Sequence, residues 1–165
     1  MLIGVISDTH GLLRPEVFDA FKEVRLILHG GDIGCPEVLD GLRSIAPTIA
    51  VRGNNDTGEW AADIPESYAT RVKFKRIYIL HDLKQLGFRP ATNGFDVVIS
   101  GHSHKPVVEE REGVLFINPG SAGPRRFKLP VTVARLHIGR SRVEGDRSEE
   151  RRVGKECRSR WSPYH

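Results

Sequence analysis

Val97-Val98-Ile99-Ser100-Gly101-His102-Ser103-His104 is the stretch on which the fold turns. Three consecutive β-branched apolar residues read as a strand covered on both faces, the kind found inside an α/β sheet. The strand stops at Ser100-Gly101, where the backbone turns sharply, and two histidines follow at i and i+2. That spacing does not set both imidazoles on one flat face. It aims them at neighbouring points in a cleft at the strand's carboxyl end, where open α/β sheets place their ligands. Two such points suggest two metal ions. A solvated His-x-His loop is the plainer alternative, and the rest of the chain decides between them.

Upstream, the same arrangement recurs. Leu2 to Ser7 is an apolar strand followed by Asp8-Thr9-His10-Gly11, and Leu26 to His29 is another, followed by Gly30-Gly31-Asp32. Thr48 to Val51 is a third, ending in Arg52-Gly53-Asn54-Asn55-Asp56. Between them, Pro15 to Val24 (Val17, Phe18, Phe21 and Val24 apolar) and Pro36 to Ser44 (Val38, Leu39 and Leu42 on one stripe) have helical periods, each with a proline suited to the first turn. Strand–turn–helix repetition argues a parallel, right-handed βαβ sheet. After a loop over 57–68, Ala69 to Phe74 and Arg76 to Leu80 leave no room for a helix and pair antiparallel around Lys75; the second ends at His81-Asp82. A short helix from Leu83 to Gly87 precedes the central stretch, and Val107 to Glu110, Gly113 to Asn118 and Pro130 to Ile138 read as closing antiparallel strands. Two sheets packed face to face, with helices outside, follow.

Composition narrows the function classes. A chain of 165 residues, 39% apolar and 28% charged, is one domain of ordinary globular type. No run of about 18 apolar residues exists and the chain enters a strand at once, so neither a membrane span nor a signal peptide is expected. Cys35 and Cys157 make neither a disulfide framework nor zinc-finger spacing, which fits a cytoplasmic home. The pI near 9.3 invites a nucleic-acid reading. Residues 1–146, however, hold 19 Lys and Arg against 18 Asp and Glu, whereas 147–165 hold 6 against 3. The basic excess belongs to a segment without apolar period, read as a disordered or non-native tail, so nucleic acid is not indicated for the domain at 1–146.

At the strand ends stand Asp8, His10, Asp32, Asn54, His81, His102 and His104. Each has a bland reading: Asp8 as a helix cap, Gly31-Asp32 as a turn, Asn54-Asn55 as a left-handed turn pair, His81 as a core histidine. Together they are five strand ends each followed by a metal-capable side chain. Oxygen donors mixed with imidazoles and no thiolate suit Mn²⁺, Fe²⁺, Zn²⁺ or Ni²⁺. Seven donors exceed one four-coordinate site and fit two ions sharing a carboxylate, an arrangement that can clamp both oxygens of an in-line displacement at phosphorus.

The ordered set Asp8-Thr9-His10, Gly31-Asp32, Gly53-Asn54-Asn55-Asp56, His81 and Gly101-His102-Ser103-His104 resembles the calcineurin-like metallophosphoesterases. Phe116-Ile117-Asn118-Pro119-Gly120-Ser121 is similar to the small single-domain phosphodiesterase branch of bacteria and archaea. The resemblance spans residues 2 to about 140. It implies an α/β fold, a four-layer αββα sandwich of two packed mixed sheets flanked by helices. It puts Asp8, His10 and His104 on one ion, Asn54, His81 and His102 on the other, and Asp32 between them, with a bridging hydroxide as nucleophile. Mn²⁺ is the expected metal and a small phosphate ester the expected partner, with a homo-oligomer possible. The same fold also serves as a scaffold subunit in eukaryotic membrane-trafficking coats, but those relatives lose several of the histidines kept here.

Two positions depart from the pattern. Many relatives carry histidine where this chain has Asn55, held by an aspartate equivalent to Asp56 and assigned to the leaving oxygen. An amide cannot act as that acid, so either another group serves or diesters with good leaving groups are favoured. Asp82 stands where relatives often have glycine; it either orients His81 or faces water. Arg125 and Arg126 follow the Asn-Pro-Gly-Ser loop as phosphate contacts or a solvated pair. His29, His137, His165 and Cys35 are given no catalytic role.

Overall fold

A computed structural model describes residues 1–125, 129–139 and 143–148. Its elements in chain order are β1 (Leu2–Ile6), α1 (Pro15–Ala20), β2 (Leu26–His29), α2 (Pro36–Arg43), β3 (Thr48–Ala50), β4 (Ser67–Val72), β5 (Lys75–Leu80), β6 (Val97–Ile99), β7 (Val107–Arg111), β8 (Val114–Asn118), β9 (Val133–Ile138) and β10 (Val143–Ser148). One sheet has the order β10-β9-β1-β2-β3, the other β4-β5-β6-β8-β7. In the first, β1, β2 and β3 run parallel and β9 antiparallel to β1. In the second, β5, β6 and β8 run parallel and β4 and β7 lie antiparallel on the edges.

Strand alternation builds three apolar layers. Ile3 and Val5 of β1, Leu28 of β2, Ile77 and Ile79 of β5 and Val97 and Ile99 of β6 meet between the sheets. The alternate residues Leu2 and Ile6 face outward under Val17 and Phe21, and Val38, Leu39 and Leu42 of α2 join the same layer. Phe21 lies so close over β1 that a Cβ at Gly4 would stand 2.9 Å from its ring. On the far side Leu80 and Val98 are covered by Leu83, Leu86 and Ala91, from single 3-10 turns at Leu83–Gln85 and Ala91–Asn93 and the loop joining them. The sandwich is therefore αββα with a thin fourth layer.

Several local expectations are corrected. α1 stops at Ala20 and the chain turns through Phe21, although Val17, Phe21 and Val24 are all buried as the period required; Phe18 is exposed. The short helix expected over Leu83 to Gly87 is a single 3-10 turn at Leu83–Gln85. β8 pairs parallel with β6, because β7 forms the outer edge of that sheet. β10 extends the first sheet beyond β9 and carries the ladder through Ser148, two residues past the boundary read at 146. No helix among the described residues is long and apolar enough to cross a membrane.

Candidate metal centre

The parallel strands of both sheets end at one rim. β1 delivers Asp8 and His10 there, β2 Asp32, β3 Asn54, β5 His81, and β6 His102 and His104. Five of these residues have positive φ: Asp8 54°, His10 46°, Asp32 54°, His102 71° and His104 62°. Among the described non-glycine residues only Lys73 and Glu112, both at hairpin tips, share that conformation. A single left-handed residue reverses the chain directly after a strand, at a cost tolerated where the surroundings hold it in place. Asp8 does not cap a helix; α1 begins at Pro15.

Their donor atoms converge. Asp8 Oδ1 lies 3.3 Å from His104 Nε2, 3.8 Å from His10 Nε2 and 3.9 Å from His81 Nε2. Asp32 Oδ2 lies 3.3 Å from His81 Nε2 and 3.9 Å from His10 Nε2. Donors bonded to one transition-metal ion at about 2.1 Å stand about 3.0–3.4 Å apart at octahedral to tetrahedral angles, so these groups need close only slightly to share ions. Two sets qualify, Asp8 with His10 and His104, and Asp8 with Asp32 and His81. Asp8 belongs to both sets and Asp32 to the second alone, so the carboxylate common to the two is Asp8, where the resemblance gave that place to Asp32. Asp8 Oδ1 and His81 Nε2 are buried and have no hydrogen-bond partner, the condition of atoms shaped to meet a cation. The residues fit divalent metal.

Asn54 and His102 complete the rim from the solvent side. Both are exposed, and with His81 they line one cleft of about 370 Å³. His102 and His81 meet edge to face at 5.2 Å.

A buried network aims the donors. Asp8 Oδ2 accepts from the Ser7 hydroxyl (2.8 Å) and the His102 N–H (3.1 Å), which leaves Oδ1 facing the imidazoles. Gly101 makes this approach possible, since a Cβ there would strike Ser7 Oγ and stand 2.7 Å from Asp8 Oδ2. Asp32 accepts from the Asn55 N–H (3.0 Å) and side-chain amide (3.2 Å). His81 Nδ1 donates to the Gly30 carbonyl at 2.7 Å, presenting Nε2 to the centre. That carbonyl, not Asp82, orients His81; Asp82 accepts from the Lys84 N–H and stands 4.0 Å from His102 Nε2. The buried Asp56 carboxylate accepts from the N–H groups of Gly53, Ile33 and Gly34, tying the loop after β3 to the loop after β2. At the end of β8, Asn118 donates to the Gly101 carbonyl and Ser103 Oγ, and Ser121 donates to the Asp8 carbonyl.

His29 is wholly buried beneath this rim. Its Nδ1 accepts from the Gly31 N–H, so Nε2 donates to Thr9 Oγ1, which in turn donates to the Ile33 carbonyl. Burial pushes its pKa down to about 4, against the partly opposing charges of Asp8 and Asp56. Burial pushes the Asp32 carboxyl up, but the adjacent His81, the Asn55 N–H and the charge of His10 outweigh it and hold Asp32 below the carboxylate range. His81 shows the counterpart: burial lowers it, and Asp32, the Asp8 charge and the Gly30 carbonyl together raise it.

Ser7, Asn118, Ser121 and the clamp by Asp56 carry no metal-ligand signature in sequence. Asn118 and Ser121 belong to the motif Asn118-Pro119-Gly120-Ser121, the one signal that could have found them. Arg125 is exposed beyond that motif, and Arg126 and His165 lie outside the described residues; His137 is exposed on β9.

The cluster could hold metal at the rim of a two-sheet sandwich, and residues 1–141 match the family described as the calcineurin-like phosphoesterase superfamily domain. The chain belongs to that superfamily. It is 41% identical over 149 residues to a probable metallophosphoesterase of Methanothermobacter thermautotrophicus, covering 82% of this chain and 86% of that one. Among solved structures it resembles a novel archaeal phosphodiesterase (TM-score 0.68, 28% identity, 88% of this chain and 98% of that one). It also resembles Vps29 of Entamoeba histolytica complexed with Zn²⁺ (TM-score 0.69, 25% identity, 88% and 97%).

Proposed function

We propose that the protein is a dinuclear metal-dependent phosphodiesterase acting on a small phosphate ester. The observation that carries this reading is Asp8 Oδ1, enclosed, without a hydrogen-bond partner, and 3.3–3.9 Å from three imidazole nitrogens. An ionised oxygen is not left bare in an interior unless a cation meets it. Asp8, His10 and His104 are read as holding one ion, Asn54, His81 and His102 the other, with Asp32 between. When bound, two divalent ions supply an activated water and counter-charge for the phosphoryl oxygens. Asn55 fixes the Asp32 carboxylate through two hydrogen bonds and cannot donate a proton as an acid, which favours diesters with good leaving groups. His102, 45% exposed, faces the incoming ester. The donor set suits Mn²⁺ first, and Ni²⁺, Fe²⁺ or Zn²⁺ by supply. The cytoplasm is the expected compartment.

Stripping the protein with EDTA and titrating each metal against a panel of esters tests the proposal. Hydrolysis of bis(4-nitrophenyl) phosphate should be restored by Mn²⁺ and exceed that of 4-nitrophenyl phosphate. Equal rates from stripped and reconstituted protein would reject a metal mechanism. Metal uptake without hydrolysis of any ester would favour a binding module of the same fold.

A further inference from the structure

His102 and Asp82 form a ridge between two clefts. One is the polar cleft of the metal centre, walled also by Arg52, Glu66 and Gln85. The other, about 530 Å³, opens on the opposite side of the ridge, over β7 and β8; it shares Gly101, His102, Ser103 and Asn118 with the network that aims the donors, while its remaining walls bring no metal donor. Its walls are Leu83, Val107 and Phe116. Val107 is 38% exposed, although it sits on a strand with apolar neighbours. Its rim carries the Glu109–Arg111 ion pair, 2.8 Å long, with the Arg111 guanidinium 5.0 Å from the Phe116 ring centroid.

We propose that this second cleft is the subsite for one substituent of the diester, a planar heteroaromatic ring of nucleobase size, while the phosphate lies on the metal side of His102. The inference rests on the proposed phosphodiesterase reading and deepens it. Continuity supports it: a phosphodiester carries two substituents, and a phosphate beside His102 directs one to each side of the ridge. The cleft volume is that of a small-molecule site, apolar in its walls and with a few polar groups to fix orientation. Arg111 and Glu109 give a donor and an acceptor at the rim, matching the polar edge of a base and offering nothing to an alkyl chain. Phe116 gives an aromatic wall, and the Arg111 guanidinium lying over its ring gives a planar cationic surface on which a base can stack.

Calorimetric titration of the full-length, Mn²⁺-loaded protein tests this with three non-hydrolysable ligands: methylphosphonate, cyclohexylmethylphosphonate and an adenine-bearing ethylphosphonate. The adenine ligand should bind about tenfold more tightly than methylphosphonate, within the range one stacked base contributes. Val107→Glu, on an exposed edge, should reduce that ratio to within about twofold, and Phe116→Leu should reduce it part of the way. Equal affinities, an equal gain from cyclohexyl, or a ratio that survives Val107→Glu in a folded protein would each overturn the subsite. Bis(4-nitrophenyl) phosphate hydrolysis is followed in parallel. If hydrolysis proceeds and the adenine preference is absent, the subsite alone fails. If the protein neither hydrolyses the diester nor binds any phosphonate, the metal-centre reading fails and the subsite with it.

Discussion

Replacing His29 with Gln isolates a single buried proton-binding site whose effect on stability has a definite sign. The folded protein keeps this ring neutral, its pKa lowered from an ordinary 6.5 to about 4. Between those values the unfolded chain binds a proton that the folded one refuses, so stability falls as pH drops through the window. At about 1.4 kcal/mol per pKa unit, the loss across the window is about 3 kcal/mol. Gln does not titrate. Near pH 7.5 His29→Gln should cost about 1–2 kcal/mol, because the chain from the Gly31 N–H through the ring to Thr9 and Ile33 is only partly rebuilt. As pH falls to 4 that deficit should close and reverse, the wild-type-minus-variant difference moving by about 3 kcal/mol. Urea denaturation of both proteins in EDTA at half-unit pH steps reads this directly. Groups of the metal centre titrate in both proteins, so that only their coupling to His29 is left in the difference. Parallel stability curves would refute the reasoning.

Other outcomes are equally checkable. Saturating Mn²⁺ at about a hundred times its dissociation constant should stabilise the protein by about 2.7 kcal/mol per ion bound, seen as a raised Tm, and Asp8→Asn should abolish that shift. Because the burial of His81 is outweighed by Asp32, the Asp8 charge and the Gly30 carbonyl, which raise it above an ordinary histidine, a proton on its ring competes with the ions; Mn²⁺ affinity should rise with pH, with proton release visible by calorimetry in buffers of differing ionisation enthalpy. Asp56→Ala strands two buried N–H groups and one part-buried one, and should cost about 3 kcal/mol in urea denaturation. Asn55→His should flatten the dependence of diester hydrolysis on leaving-group pKa; an unchanged dependence would remove the leaving-group argument.

The architecture was legible because burial on both faces of Val97–Ile99 and the strand–turn–donor repetition are local patterns with one spatial solution. The donors were legible for the same reason: parallel strands put their ends at one rim, so Asp8, Asp32, His81 and His104 had to meet. What sequence hides is contact across long separations. Asp56 reads as the support of its neighbour at position 55, yet it holds the loops after β2 and β3 together. Asp82 reads as a partner for its neighbour His81, but adjacent residues diverge where the strand ends, and the carbonyl of Gly30 takes that place. β10 escaped notice because a segment with few apolar residues gives no period, and the ladder of β9 recruits it through the backbone.

Five donor residues held at positive φ carry a consequence for descent and for engineering. Left-handed backbone at a residue with a side chain costs roughly 1 kcal/mol or more, so a lineage relieved of catalysis gains by placing glycine or asparagine at those corners. Selection for stability alone would push the same way, giving up the donors for a relaxed backbone at His10 and His102 first, the least buried of the five.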